Sequence, residues 1–489
     1  MRSPHRSTAP QPGIPAGTDP HTTLSRELRL FDLIMMGVGM MIGAGAVLGM
    51  GEAVRIAGPG GTLVAFALAG TLSLLTAMAY AEMSSAIPRA GSIYNFARIA
   101  FGSSTGFTAG WIAWFASAAA GSLYASLCAS YVVHYLAQLG MLGWVPLPTW
   151  VQERAAAVLI ACLFVYCNYR GISETGKTQT FLTVGQTVSL GLIAIAGAVV
   201  AVRDPSRLAN FRPFMPNGWP AVLVCMGLEF VAFEGYEVIA TAGDEAINPR
   251  RNLPRAILWS VVIVSVTYLA VAFGLIVAIK NVNVPAWQWL AQQHEKAFGE
   301  AVGLLLPLGH LVATLTIVFA ATSALNATIY CAARASYALG RDRMLPGRLA
   351  HISPRRRTPD MALALTALLV ISGTAFLPIL HLAASASVMF LFMFILANLC
   401  VVRLRQRMGG TLTYGYRMPM CPLLPVIATL GQMVIAVFVL RVSWVAWAIA
   451  VTWMGAGLAV FWLYSRSRAL PLPEDAPSTS ETPQERSRT

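Results

Sequence analysis

The sequence is built from apolar runs, most of them close to the ~20 residues that a helix needs to span a bilayer. Only 11% of its 489 residues are charged and 56% are hydrophobic, whereas a soluble domain carries about 25% charged residues. The pattern predicts an all-α polytopic membrane protein. Its twelve predicted transmembrane helices lie at 32–54, 59–82, 105–138, 151–169, 179–202, 219–243, 256–279, 302–338, 360–380, 384–402, 420–440 and 443–465.

The basic residues predict how these helices are oriented. With the N-terminus in the cytoplasm, 26 of the 34 Lys and Arg residues fall on the cytoplasmic side and 8 on the other. This bias follows the positive-inside rule and places both termini in the cytoplasm. It also explains most of the net charge of +13 without nucleic acid. The polar segments 1–22 and 469–489 are predicted to be disordered cytoplasmic tails.

The first apolar run contains an unusual concentration of glycine. Six of the fifteen residues at 37–51 are Gly, and each Gly in a helix interior costs about 1 kcal/mol relative to Ala. The natural place for this helix to open is Gly43-Ala44-Gly45. Backbone opened inside a bilayer is tolerated only against protein or a wet cavity, so we predict a broken transmembrane helix whose open turn binds a ligand.

The sixth run carries a second anomaly, with Glu229, Glu234 and Glu237 placed around Gly235. A carboxylate at membrane depth is costly and usually faces the bundle interior or a cavity. A second broken helix is therefore predicted five spans after the first, running in the opposite direction. This spacing is typical of a five-plus-five inverted repeat, here 23–202 and 219–402, followed by two further helices at 420–465.

Two other motifs have competing interpretations. Thr322, Ser323 and Asn326 share one face of the eighth span, which suits either helix packing or contact with an ion or substrate. The segment 171–178, GISETGKT, matches the P-loop pattern letter for letter. A P-loop needs a buried strand before it and a helix after it in an α/β domain, and this segment instead connects two membrane spans, so phosphate binding is not expected.

The motifs together resemble the amino acid–polyamine–organocation (APC) superfamily of permeases, particularly prokaryotic proton-coupled amino acid permeases of broad specificity. The matching segments are LSRELRLFD at 24–32, the G-x-x-I-G-A-G run at 39–45, the E-x-x-S-x-x-P-x-A-G-S-x-Y pattern at 82–94, FEGYEVIATA at 233–242, the N-P-x-R-N-L-P-R-A-I pattern at 248–257 and SALNATIY at 323–330. The resemblance covers about residues 24–345 and is weaker beyond them.

The resemblance implies a site between the two breaks. Amides at 42–46 would bind the substrate carboxylate, as the N-terminus of a half-helix favours an anion. Carbonyl groups around Met40 and at 231–234 would hold the ammonium group. Phe230 and Phe233 are candidate lids, with ordinary apolar packing as the alternative. The implied substrate-binding set is Met40, Ile42, Gly43, Ala44, Gly45, Phe230, Val231, Phe233, Glu234 and Gly235.

Three departures from the family bear on coupling and specificity. Gln186 stands where some proton-coupled relatives have a Lys; because Gln cannot titrate, that proton mechanism is not expected here, and the alternatives are sodium at Thr322 and Ser323 or exchange without an ion. The third span has Ala116 and Ser117 where carriers of cationic amino acids have a Glu. Glu234 is a candidate proton carrier, or a partner for a substrate amine. Glu237 matches an acidic position seen more widely in the family and is a candidate either for coupling or gating or for a structural role, in which it bonds opened backbone amides.

The resulting hypothesis is a secondary transporter for neutral L-amino acids in a prokaryotic cytoplasmic membrane, working by alternating access. Coupling to H⁺, exchange, and coupling to Na⁺ remain open. A polyamine or amine permease is the alternative within the class, and a channel the alternative outside it. We expect no enzymatic activity, no cofactor, no metal other than a possible sodium ion at Thr322 and Ser323, and no nucleic-acid partner. The partners expected are an amino acid and the bilayer, with the oligomeric state open.

Overall fold

The computed structural model describes residues 26–142, 146–280, 284–293, 297–440 and 443–468. The side chains at 44–48, 138, 172, 173, 228, 231, 439 and 440 fall outside this description. Both tails predicted to be disordered, 1–22 and 469–489, also lie outside the described residues.

The described residues are mostly α-helical. Its α-helices, in chain order, are α1 (Leu30–Met41), α2 (Ala44–Ala86), α3 (Ile93–Phe101), α4 (Ser103–Gln138), α5 (Thr149–Arg170), α6 (Ile172–Arg203), α7 (Gly218–Glu229), α8 (Glu237–Thr241), α9 (Pro249–Ala278), α10 (Ala286–Gln292), α11 (Ala297–Leu305), α12 (Gly309–Arg341), α13 (Asp360–Phe376), α14 (Ile379–Met408), α15 (Leu423–Leu440) and α16 (Trp444–Val460). Within the described ranges, eight helices are long and apolar enough to cross a membrane, and four shorter apolar helices accompany them. The predicted all-α polytopic architecture is confirmed.

Helix α2 contains the second half of the first predicted span and all of the second. Its 43 residues would measure ~65 Å as a straight helix, about twice the bilayer core. Gly58 interrupts it with a left-handed φ of 78°, and Pro59 follows directly. Because Pro cannot continue the hydrogen-bond ladder, the helix is kinked here. The boundary predicted between 54 and 59 falls at this kink.

Two sequence boundaries are clarified by local backbone structure. The eighth span begins at Gly309 rather than 302, because α11 ends at Leu305 and Leu308 is left-handed, with a φ of 58°. The P-loop-like segment starts α6, which runs unbroken from Ile172 to Arg203. The amides of Gly176 and Lys177 are therefore inside a helix and cannot cradle a phosphate, in agreement with the rejection of that motif.

The position of each helix in the bundle follows from which of its faces are buried. Helices α4, α12 and α14 are mostly buried, whereas α5, α6 and α16 expose most of their residues to the surrounding bilayer. Helix α4 packs along α12, and the short α1 lies among α6, α9 and α12. The Gly-rich first span is consequently enclosed by other helices, which is the environment that opened backbone requires.

Candidate functional site

The first break occupies Ile42 and Gly43, between α1 and α2. Ile42 has φ −77° and ψ 64°, and Gly43 is extended. The Ile42 amide donates to the Val38 carbonyl at 2.9 Å, and the Gly43 amide donates to the Met41 carbonyl at 2.8 Å. Of the amides expected to bind a carboxylate, these two are therefore already bonded in this structure. Helix geometry leaves the amides of the first α2 turn, at 44–46, without intrahelical acceptors.

The second break lies between α7 and α8. Helix α7 ends at Glu229, a 3₁₀ turn covers Phe230–Phe233, and α8 restarts at Glu237. Gly235 between them has a φ of 139°, which only glycine adopts at low cost. Its amide donates to Oε2 of Glu237 at 2.9 Å, so this carboxylate satisfies backbone that the helix has released.

The two breaks lie directly against each other. A Cβ atom on Gly235 would be 2.8 Å from the Met41 nitrogen and 3.0 Å from the Met40 carbonyl carbon. The hydroxyl of Tyr268, on α9, is 2.7 Å from the Met41 carbonyl oxygen and 3.1 Å from the Ala232 carbonyl oxygen. One phenol therefore bridges the carbonyl groups released by both broken helices.

Glu234 stands at this junction with 3% of its surface exposed. Neither of its carboxyl oxygens has a hydrogen-bond partner in the described part of the chain. On α4, the hydroxyl of Tyr124 faces Gly43 and lies within electrostatic range of Glu234 and Glu237. An ionised carboxylate buried without a partner is costly, so this group requires a bound proton or a cationic ligand.

The aromatic residues of the second break are packed against neighbouring helices. The Phe233 ring lies 6.2 Å from that of Phe66 and 5.4 Å from that of Tyr268, and Phe230 contacts Phe394 edge-on. Both Phe230 and Phe233 are fully buried. These contacts correspond to the packing alternative, and a lid role in substrate binding stays a prediction.

The remaining predicted binding residues lie at the two breaks. Those whose burial is described are all buried: Met40, Ile42, Gly43 and Gly235. The side chains of Ala44 and Val231 are outside the described residues, and Gly45 lies in the first turn of α2.

A directed chain of hydrogen bonds runs beside the first break. Asn168 donates to Asn326, Asn326 donates to Oε1 of Gln179 at 2.8 Å, and Gln179 donates to Ser323 at 2.8 Å. Thr183 uses its single proton on the Met35 carbonyl at 3.0 Å, so Ser323 must donate to Thr183 at 2.9 Å. This chain connects α5, α12 and α6 to α1. Ser323 and Asn326, both predicted site residues, are its α12 members.

Gln186 and Thr322 are not connected to this chain. The amide of Gln186 is buried, and neither of its polar atoms has a hydrogen-bond partner among the described residues. The Thr322 hydroxyl donates to the Val318 carbonyl of its own helix at 2.6 Å. The α6 residues that reach Ser323 are Gln179 and Thr183, which the sequence analysis did not single out. The coupling roles of Gln186 and Thr322 stay predictions.

The arginine-rich side of the site is closed by a short strap and a buried ion pair. The Glu27 and Leu28 amides donate to the Glu245 carbonyl, and the Ile247 amide donates to the Leu28 carbonyl at 2.8 Å. The Glu245 carboxylate accepts from Arg334 at 2.9 Å, and both side chains are almost fully buried. Tyr330 donates to the same carboxylate.

A small cavity borders the Glu237 side chain. It is lined by Ser117, Thr241 and Cys331 among others, and its volume is about 10 Å³. A cavity needs roughly 10–15 Å³ to hold one water molecule. The Oε1 atom of Glu237 has no partner among the described groups, so a single water here would satisfy it. Ser117 is also one of the two positions where the sequence lacks the acidic residue of cationic amino acid carriers.

Two broken helices that meet at membrane depth, closed over by buried side chains, define a multi-pass membrane transport protein of the carrier type. The chain belongs to the amino acid permease family, whose profile matches residues 28–464. Within the described ranges no cluster of three or more His, Cys, Asp or Glu residues is placed to hold a metal ion.

Named relatives differ in what they carry. A branched-chain amino acid permease of Bacillus subtilis is 28% identical over 468 residues, which cover 93% of this chain and 96% of that protein. A methylthioribose transporter of the same organism is 28% identical over 464 residues, covering 92% and 95%. Human cationic amino acid transporter 4 is 30% identical over 357 residues, covering 69% and 53%.

Proposed function

We propose that this permease carries neutral L-amino acids by alternating access. The observation that carries the proposal is the junction of the two breaks. The first turn of α2 offers amides to a carboxylate, and the carbonyl groups of Met40 and the 3₁₀ turn lie opposite. An amino acid presents both groups on one carbon. The similarity to a branched-chain amino acid permease along nearly the whole chain supports an apolar side chain.

We propose Glu234 as the proton carrier. Its carboxyl group is buried beside both breaks and has no partner in the described residues, so binding a proton removes an unfavourable charge. A sodium ion beside Ser323 is less well supported. Sodium coordination needs oxygen ligands, and the Ser323 hydroxyl is already engaged by the Gln179 amide and by Thr183. Exchange without an ion is the remaining alternative.

A polyamine permease is the second candidate, because Glu229, Glu234 and Glu237 are all buried on one broken span. Two carboxylates would suit a diamine. The amides of the α2 N-terminus oppose it, since a half-helix N-terminus repels a cation.

The test uses purified protein in proteoliposomes. Uptake of labelled leucine should saturate, should be accelerated by unlabelled leucine on the opposite side, and should rise with an inward proton gradient. Replacing sodium with choline should leave it unchanged. Competition by neutral amino acids, arginine, putrescine and methylthioribose then ranks the substrates. Competition by putrescine alone would overturn the choice of substrate, and a flux that rises linearly without saturation would identify a channel.

The transported molecule should be recovered chemically unchanged, since the proposal includes no enzymatic step. The proposed location is a prokaryotic cytoplasmic membrane with both termini in the cytoplasm. Labelling of a cysteine introduced near either terminus should require permeabilised cells. Labelling of intact cells would reverse the assigned orientation.

A further inference from the structure

The surface that faces the bilayer carries a groove remote from the two breaks. Its volume is about 510 Å³, within the roughly 300–1,000 Å³ typical of small-molecule sites. It lies where α4, α13 and α16 meet the connection from α12 to α13. Its walls are mostly apolar and include Trp111, Trp114, Leu365, Leu368 and Val460.

The floor of this groove offers no hydrogen-bond donors from its two indoles. Trp111 stacks on Trp453 with ring centroids 4.6 Å apart, and its Nε1 donates to the Trp453 carbonyl at 2.9 Å. Trp114 donates its Nε1 proton to Thr366 at 3.1 Å. Because both indole N–H groups are used inside the protein, the floor suits a hydrocarbon chain rather than a polar ligand.

The mouth of the groove is basic. Arg348 lines it, is exposed, and makes no ion pair among the described residues. Arg466, six residues beyond the end of α16, lies on the same side, because the neighbouring Ser465 hydroxyl donates at 2.5 Å to the carbonyl of Met344, which precedes Leu345 of the groove wall.

The acidic residues near the mouth are already engaged. Asp342 is paired with Arg98 at 2.5 Å and with Arg341 at 3.2 Å, and Asp360 contacts His351 at 2.7 Å. The imidazole of His351 cancels the charge of Asp360 only when it is protonated, but Arg348 and Arg466 together outnumber this one carboxylate, so the mouth keeps a net positive charge.

We propose that this groove binds an anionic glycerophospholipid, with one acyl chain along the tryptophan floor and the phosphate on Arg348. A guanidinium group binds phosphate through paired, charge-assisted hydrogen bonds. The groove opens on the arginine-rich side of the protein, which faces the leaflet that holds anionic lipids under the proposed orientation.

The experiment measures the melting temperature of the full-length protein in detergent as phosphatidylglycerol or phosphatidylcholine is added, with native mass spectrometry to count bound lipid. Phosphatidylglycerol should stabilise the protein more and remain bound as one molecule. Arg348→Gln should weaken its apparent affinity by about five- to tenfold, the amount expected for one basic residue at a membrane surface. Ala364→Phe, which fills the groove, should abolish the retained lipid.

Two matched variants control for charge and bulk. Arg251→Gln removes an exposed arginine from the same side at another place, and Ala155→Phe adds bulk to an exposed position on α5. Both should keep the preference for phosphatidylglycerol. The proposal is overturned if the two lipids stabilise the protein equally, if Ala364→Phe keeps the bound lipid, or if lipid release coincides with dimer formation, which would make the groove an interface between copies.

Discussion

The bridge made by Tyr268 gives the sharpest test of the site. Tyr268→Phe keeps the ring that packs against Phe66 and Phe233 but removes the hydroxyl shared by the Met41 and Ala232 carbonyl groups. A hydroxyl has one proton, so the loss amounts to one buried donor rather than two. The Met41 carbonyl also accepts from the Gly43 amide, so the change removes one net hydrogen bond, worth about 0.5–1.5 kcal/mol, and does not strand this carbonyl.

That cost falls on the arrangement in which the two breaks meet, and corresponds to roughly a 2- to 13-fold lower population of it. We therefore expect Tyr268→Phe to fold, to lose at least about half of its initial rate of leucine uptake, and to show weaker thermal stabilisation by leucine. The control is Tyr166→Phe, whose hydroxyl lies on an exposed side chain. Wild-type uptake and wild-type stabilisation in Tyr268→Phe would refute the bridging role.

Three further changes probe the same region. Gly235→Ala should lower the stability of the folded protein by about 1–3 kcal/mol because of the positive φ at this position, with further strain against the Met41 nitrogen, and it should abolish uptake. The control is Gly227→Ala, which should stay active in the same assay because its Cβ would meet nothing nearer than 3.5 Å. Glu234→Gln should make uptake independent of pH while binding at fixed pH persists, and a pH dependence that survives would remove this residue from the proton path. Arg334→Met should lower stability by about 3–5 kcal/mol because it strands the buried Glu245 carboxylate, and adding Glu245→Gln should recover part of the loss of melting temperature.

Both helix breaks could be predicted because their residues are unusual for membrane helices. Glycines at 37–51 weaken a helix regardless of what surrounds it, and acids beside Gly235 are rare at membrane depth. These are local properties, so a single chain displays them. The structure places the second break at 230–236, around Gly235 as predicted, and the first at Ile42–Gly43. The expected opening at Gly43-Ala44-Gly45 was therefore slightly displaced, because Ala44 and Gly45 already belong to the first turn of α2.

The groups that hold the breaks together could not be predicted in the same way. Tyr268 bonds to carbonyl oxygens, and every residue has a carbonyl, so the partner leaves no mark in the sequence. Gln179 and Thr183 were visible in principle, since two polar residues four apart share a helix face and need partners in a membrane. Which partners they find depends on how α6 packs against α1 and α12. Gln186 lies about one turn after Thr183 on α6, yet neither of its polar atoms has a hydrogen-bond partner among the described residues. Its matching position in the family therefore did not identify the α6 residues that contact Ser323.

The same packing identifies α1 as the element that resists opening toward the arginine-rich side. If α1 and the residues before it move together, Thr183 must release the Met35 carbonyl, and the three backbone bonds between Glu27, Leu28, Glu245 and Ile247 must also break. At about 0.5–1.5 kcal/mol net for each bond, these four restraints amount to roughly 2–6 kcal/mol. A ligand shifts such an equilibrium only by the difference in its affinity for the two states. Under the proposed function the substrate and the proton bind where α1 ends at Met41, so they would supply this difference at the break itself.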